Sequence, residues 1–586
     1  MERMNAATLH RGPDGSRTWS DGSVSFGFNR LAIIDLSERA MQPMHSADLR
    51  YTIIFNGEIY NYKELKQELA AYPYTSESDT EVILAAYSAW GDAAFSRLNG
   101  MYALALWDGQ EKRLVLARDP VGIKPLYYSF DGRRLVFSSE LKGVLEAGVS
   151  RTLDRVAFSH YLRLLYVPGE MTMFSEIQKV PAGHMVVFQN NQGQVMEVPH
   201  PWPDEAPPQS YPDAVAAVRA RVTNAVTRQL VSDRPIGVYL SGGIDSTSVL
   251  AAASTTHPKI NTYSVGFDLT DDEEQEKFNR DAELAALSAK HFGATHHEFR
   301  LTSGEVSNLF PEMIHFMDEP VANATTLPQL FLARETKSTA TVVLTGDGGD
   351  ELFGGYERYR LALLAEQYGG YIPRALLVML PPSLRSLHLK GVDRYAQLMF
   401  QPGEALLPPL TGLPVAETKK LFIRYFQKGD IAGNLMRADE ENWLRDEALL
   451  RSDTMGMGAS VEVRVPLLDL EVRSLAHSLP TEWKVTRSKT KRILKDAFKD
   501  VLPPEVLTQP KRGWFSPGAK WLRRNEFVAL TDEVFANNYT DASKLFNLNE
   551  VRRLATAHRE KRAYHYTPLW ATLVFLSWAR EYKATL

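Results

Sequence analysis

An apolar run, Pro235-Ile-Gly-Val-Tyr-Leu240, breaks directly into Ser-Gly-Gly-Ile-Asp-Ser-Thr at residues 241–247. The run reads as a buried strand, the glycines permit a tight turn, and the apolar stretch from about 246 to 254 reads as a helix. Such a turn closes its backbone on an anion. The hydroxyls of Ser241, Ser246 and Thr247 and the helix N-terminus supply the donors. Asp245 sets a carboxylate beside that anion, where it can hold Mg2+. A phosphate gripped together with a metal implies pyrophosphate, and with it attack at the α-phosphate of ATP. A plain glycine turn capped by Ser and Asp would explain a lone Ser-Gly-Gly. The full string between strand and helix favours the phosphate grip.

A second loop, Thr345-Gly-Asp-Gly-Gly-Asp-Glu351, follows a β-branched strand at 341–345. Gly346 and its fellow glycines allow close backbone approach. Its three acids would repel a triphosphate unless a metal lay between them. Asp245 and Asp350 are the expected Mg2+ pair, although an acidic surface turn has the same composition. Lys489 and Lys491 open a helix in Arg487-Ser-Lys-Thr-Lys-Arg-Ile-Leu. Either could stabilise a pentavalent phosphorus, and on spacing alone a solvated basic helix face is the better reading. Glu462 and Arg464 interrupt an apolar segment. Their pairing would order the site or simply hold helices together.

The chain has 586 residues, too many for one core, so two or more domains are expected. A net charge of -5 gives no footprint for nucleic acid or an anionic membrane. No stretch has transmembrane length, and the apolar run 568–579 suits a buried C-terminal helix. The N-terminus lacks a signal-peptide core, so a cytoplasmic enzyme is expected. Cysteine is absent from the sequence, which removes disulfides, thiolate metal sites and thiol nucleophiles.

Residues 1–190 carry short strand patterns (24–28, 51–55, 102–107, 113–117, 135–138) with helices at 62–71 and 79–90, a strand-rich sandwich. Residues 191–212 hold six prolines and read as a linker. From Asp213, a candidate helix cap, strands at 235–240, 261–267 and 341–345 alternate with helices to give a parallel α/β domain over 213–586. Its ligands should sit at the carboxyl ends of those strands, where both glycine loops lie. Residues 356–586 read as mostly helical.

The chain resembles glutamine-hydrolysing asparagine synthetases. The likeness is carried by the two loops together with His10-Arg-Gly-Pro-Asp-Gly15, Arg30-Leu-Ala-Ile-Ile-Asp35, Asn56-Gly-Glu-Ile-Tyr-Asn61, Ser78-Asp-Thr-Glu81, Val121-Gly-Ile-Lys-Pro-Leu-Tyr127, residues 462–469 and Lys511-Arg-Gly-Trp-Phe515. The resemblance implies a class II glutamine amidotransferase domain of the N-terminal-nucleophile type joined to a PP-loop synthetase domain. It also implies aspartate, ATP and glutamine or ammonia as small-molecule substrates, a β-aspartyl adenylate fed by ammonia through an internal tunnel, and a homodimer. Carried over by position, Ser241, Gly242, Gly243, Asp245 and Ser246 bind pyrophosphate, with Asp245 and Asp350 on magnesium. Leu240, Val265 and Gly346 line the AMP site. Lys491 matches the transition-state lysine better than Lys489 does. In the glutamine pocket Arg30 would pair the substrate carboxylate, Glu58 and Asp79 its ammonium, and Asn56 with the Gly57 N–H the oxyanion.

Two departures stand out. The family's nucleophile is an N-terminal cysteine acting with its own α-amine, and by comparison a first strand and the start of a helix, roughly 20 residues, precede this start. As written the chain is expected to use ammonia and leave glutamine intact, with one strand fewer in its N-terminal sheet. Either the start was placed at an internal Met or the glutaminase was lost. The retained Arg30, Asn56, Gly57, Glu58 and Asp79 favour the first explanation. The family also often has Glu where Asp347 stands. Asp347 could still act as a base or orient the nucleophile, and its shortness leaves room for another acceptor, such as a uronic acid. A ring-closing β-lactam synthetase needs no glutamine pocket, and a silent regulatory homologue needs no phosphate motifs.

Overall fold

The computed structural model describes residues 1–199, 207–269, 272–368, 386–400, 411, 417–426, 429–509 and 513–586. The N-terminal half is built on a six-stranded antiparallel sheet. Its order is Gln192–Glu197, His184–Gln189, Arg113–Arg118, Gly100–Asp108, Tyr51–Ile59, Met44–His45. The central strand Gly100–Asp108 is buried along its whole length, because period-2 alternation gives each face a core. Tyr102, Leu104 and Leu106 pack with the helix Asp79–Trp90. Ala103, Ala105 and Trp107 pack with Phe26, Leu126 and Val180 on the other face. The Ser78 hydroxyl caps that helix, which starts at the expected residue.

Two boundaries differ from expectation. Residues 192–197, inside the expected linker, pair with His184–Gln189 as an edge strand, and residues 200–206 of that linker lie outside the described residues. The helix expected from Asp213 runs Tyr211–Gln229, and Ser210 is its cap, accepting from the Asp213 N–H. Pro212 fits the first turn, where its missing N–H costs nothing.

The second half centres on a five-stranded, all-parallel sheet ordered Thr295–Leu301, Asn261–Phe267, Ile236–Tyr239, Val342–Leu344, Glu462–Arg464. Residues 462–464 are thus an edge strand of this sheet. Val238, Leu344 and Val465 face one core with the helix Ile244–Ala253. Val265, Val343 and Val463 face the other. This second core also takes in the C-terminal helix Tyr566–Glu581, which buries the apolar run expected there. The helix Arg155–Leu164 of the first half joins it, with the Tyr161 hydroxyl donating to the Ala571 carbonyl at 2.8 Å. Among the described residues, no helix is long and apolar enough to cross a membrane.

Candidate active site

Both glycine-rich loops leave the carboxyl ends of adjacent parallel strands, Ile236–Tyr239 and Val342–Leu344, and pack against each other. A Cβ on Gly346 would lie 2.5 Å from the Ser246 nitrogen, and one on Gly349 would lie 2.4 Å from Asp245 Oδ1. Gly242 has φ +65° with Leu284 and Ala285 behind it, so the turn can pass only as glycine. Ser241 and Ser246 hold the loop's shape. Their hydroxyls lie 3.1 Å apart, and the Ser241 N–H donates to Ser246 Oγ at 3.2 Å.

These loops border a cavity of about 1580 Å³. Ser241, Gly243, Asp245 and Ser246 lie on its wall, as do Leu240, Val265 and Gly346; Gly242 stands behind them. Asp350 and Lys491 complete that side. The Lys491 ammonium is buried, bonded to Asp245 Oδ2 and 2.5 Å from Asp350 Oδ1. Burial disfavours its charge, yet the two carboxylates outweigh burial and raise its pKa above the ordinary lysine value. The structure separates the two candidate lysines, because Lys489 is exposed and caps only a local turn through Thr486. Lys491 has φ +51° and its N–H donates to the Gly354 carbonyl at 3.2 Å. Two carboxylates that meet one ammonium also suit a single hard cation, which needs only one or two carboxylates when phosphate oxygens complete its shell.

Asp347 lies on the same wall, accepting from the Thr345 hydroxyl at 3.0 Å and the Ser452 hydroxyl at 3.4 Å. Burial raises its pKa above the ordinary carboxylate value. Beside it sits a polar corner that the sequence reading missed. Arg451 donates to Glu447 Oε1 at 2.9 Å and to Gln329 Oε1 at 2.5 Å, and Asn323 donates to Glu447 Oε1 at 2.8 Å. In sequence, Glu447 and Arg451 read as an ordinary (i, i+4) surface pair. Gly355 was also missed. A Cβ there would fall 1.8 Å from Asp350 Oδ1.

A second cavity, about 230 Å³, gathers Arg30, Asn56, Gly57, Glu58 and Asp79. Arg30 is buried, which lowers its pKa, and donates to the Ser37 carbonyl at 2.8 Å and to the Asp35 carbonyl. Asn56 Nδ2 donates to Ser139 at 3.3 Å. Gly57 has φ +150°, and a Cβ there would meet the Met101 carbonyl at 2.0 Å. Asp79 accepts from the Ile59 N–H at 2.9 Å, and burial pushes its carboxyl up to about 6. Glu58 pairs with Arg464 of the other half at 3.3 Å. One wall serves both cavities. On the strand Glu462–Arg464, Glu462 borders the small cavity and Val463 the large one, and on the helix Leu450–Gly458 Met457 and Gly456 divide the same way.

Residues 1–200 match the glutamine amidotransferase domain and residues 217–580 match asparagine synthase. The fold and its two cavities define an amidotransferase domain fused to a PP-loop synthetase domain. The chain is 34% identical over 602 residues to asparagine synthetase [glutamine-hydrolyzing] 1 of Bacillus subtilis, covering 99% of this chain and 93% of that protein. It is 33% identical over 619 residues to a putative asparagine synthetase [glutamine-hydrolyzing] of Mycobacterium bovis, covering 99% and 93%. A third relative, Amidase chry2 of Gibberella zeae, is 26% identical, covering 87% and 84%. The chain belongs to the asparagine synthetase family.

Proposed function

We propose that this chain uses ATP to convert the β-carboxylate of aspartate into an amide. The observation that carries the reading is the convergence of Ser241, Ser246, Asp245, Asp350 and Lys491 on one wall of the large cavity, with Asp347 and the Arg451–Glu447 corner beside them. In the first step a β-carboxylate oxygen bonds to the α-phosphorus and the bond to pyrophosphate breaks. The turn at 241–246 holds the departing pyrophosphate by backbone N–H groups and hydroxyls, and Lys491 stabilises the negative charge that grows on it. Asp245 and Asp350 would hold Mg2+, which neutralises triphosphate charge when bound. In the second step ammonia attacks the acyl carbon and AMP leaves. In this reading Asp347 takes the proton that ammonia loses.

Arg451 and Glu447 offer opposite charges for the α-carboxylate and α-ammonium of an amino-acid acceptor. The small cavity suits glutamine, with Arg30 at its carboxylate and Glu58 and Asp79 at its ammonium. The polypeptide of 586 residues contains no cysteine, the residue that the family resemblance assigns to attack on glutamine. Ammonia is the nitrogen that reaches the adenylate, and the small cavity is where glutamine would supply it. The test is AMP and pyrophosphate formation with ammonium chloride and a panel of carboxylic acids. Aspartate is expected to support both products. Turnover with another acid and none with aspartate would move the assignment to that acid, and no AMP with any acid at any ammonium concentration would refute adenylation.

A further inference from the structure

Arg464 is among the largest fully buried side chains of the protein, yet it belongs to neither cavity's lining. Its guanidinium donates to Glu462 Oε1 at 2.8 Å and to the carbonyls of Gln229 and Val231, each at 2.7 Å. The remaining nitrogen faces Glu58 across the domain boundary at 3.3 Å, with the Tyr60 ring 5.9 Å from the guanidinium carbon. Glu58 is only 5% exposed and borders the small cavity. Its second oxygen, Oε2, has no hydrogen-bond partner among the described residues. A buried carboxylate oxygen left in this state is costly, and an ammonium in the cavity would satisfy it.

The main chain of Arg464 points the other way. In the parallel register Leu344 lies beside Arg464, and the Thr345 N–H donates to the Arg464 carbonyl at 2.9 Å. Thr345 begins the acid loop, and its hydroxyl donates to Asp347 at 3.0 Å. One residue therefore links a ligand-facing carboxylate in the small cavity to the acid loop of the large one. Each link is direct: Glu58 to Arg464, Arg464 to Thr345, Thr345 to Asp347.

Building on the glutamine-pocket reading above, we propose that Arg464 is a positioning residue that couples occupancy of the small cavity to the placement of Asp347. An α-ammonium bonded to Glu58 Oε2 divides that carboxylate between two cations. The pull on the guanidinium changes, and the strand Glu462–Arg464 carries the change to Thr345. Burial, with Asp79 nearby, raises the Glu58 pKa well above the ordinary carboxylate value, so an arriving ammonium also favours the charged form that Arg464 feels. The effect is on binding and alignment, and Arg464 touches no reacting atom.

L-glutamine is the probe, with glutamate release assayed alongside so that binding and cleavage are read separately. Calorimetry gives its affinity with and without ATP, and the ammonia-dependent reaction gives KM and kcat with and without saturating glutamine. Glutamine is expected to shift the aspartate KM or ATP affinity by about fivefold or more, and linkage requires ATP to shift glutamine affinity by the same factor as glutamine shifts ATP affinity. Arg464→Lys keeps the buried charge but loses the fork, and is expected to erase most of the shift. Thr345→Val cuts the last link without touching the small cavity. It is expected to leave glutamine affinity intact while removing the shift. Glutamine binding with no shift in the unmodified protein, or a full shift in both variants, overturns the coupling alone. No glutamine binding overturns the pocket assignment and the coupling with it.

Discussion

The Lys491 ammonium sits 2.5 Å from Asp350 Oδ1, with Asp245 bonded to the same nitrogen. The lysine proposed to act in the transition state thus rests against the two carboxylates proposed to hold magnesium. Replacing it leaves two buried charges facing each other. Lys491→Met is expected to cost about 3–5 kcal/mol of stability without ligands. Urea unfolding measures it, and Mg2+ should restore stability to the variant more than to the parent. A variant as stable as the parent would show the contact to be incidental.

The same lysine has a second signature in catalysis. Lys491→Ala is expected to slow AMP formation by a factor of about 10² or more with a much smaller change in ATP affinity. Asp245→Asn should abolish pyrophosphate release by removing a metal ligand. Single-turnover kinetics beside equilibrium nucleotide binding separates the two effects; lost affinity with an unchanged rate at saturating ATP for Lys491→Ala would make the lysine a ground-state contact only.

Gly355 limits how closely Asp350 and Lys491 can be held. Its missing Cβ would stand 1.8 Å from Asp350 Oδ1 and 2.3 Å from Lys491 Cε. Gly355→Ala must displace one of them, and a shift of about 1 Å at a reacting centre costs roughly 10²-fold in rate. Circular dichroism should show the fold retained. Unchanged AMP formation by a folded Gly355→Ala protein would contradict this geometry.

Asp79 sets a pH dependence. Burial pushes its carboxyl from 3.8 up to about 6, so the folded protein prefers it protonated. The penalty for ionising it is absent below pH 3.8 and complete above about 6, so this group's contribution to stability falls as pH rises through that window. Ligand binding runs the other way, because only the carboxylate can accept an ammonium. Glutamine affinity is expected to fall about tenfold per pH unit below pH 6. Calorimetry from pH 5 to pH 8 checks it, and Asp79→Asn should bind weakly at every pH. A flat profile in the parent would remove Asp79 from the ammonium site.

Much of this architecture is legible locally. The loops at 241–247 and 345–351 show in sequence because the same glycines that let them pack together also punctuate apolar strands. What sequence hides is non-local. The strand Thr295–Leu301 is exposed or half-buried except at Leu301 and reads Thr-His-His-Glu-Phe-Arg-Leu, so it shows no apolar pattern. The edge strand Glu462–Arg464 has three residues, two of them charged, and is buried only because Glu58 and two carbonyls 230 or more residues away receive Arg464. Spacing alone does not separate Lys491 from Lys489; the family resemblance favours Lys491, and the fold sets Asp245 and Asp350 around it. Arg451 and Glu447 gave no signal, since a helix of charged residues looks the same in sequence whether it faces solvent or a cavity.

In the proposed adenylation an acceptor carboxyl oxygen displaces pyrophosphate from ATP at the 241–246 turn. Aspartate labelled with oxygen-18 in its β-carboxylate tests it most directly, with ammonium chloride as nitrogen donor and mass spectrometry of the nucleotide product. One labelled oxygen per AMP is predicted, in amount equal to the amide formed. Unlabelled AMP, or amide formed together with ADP and phosphate, would contradict it.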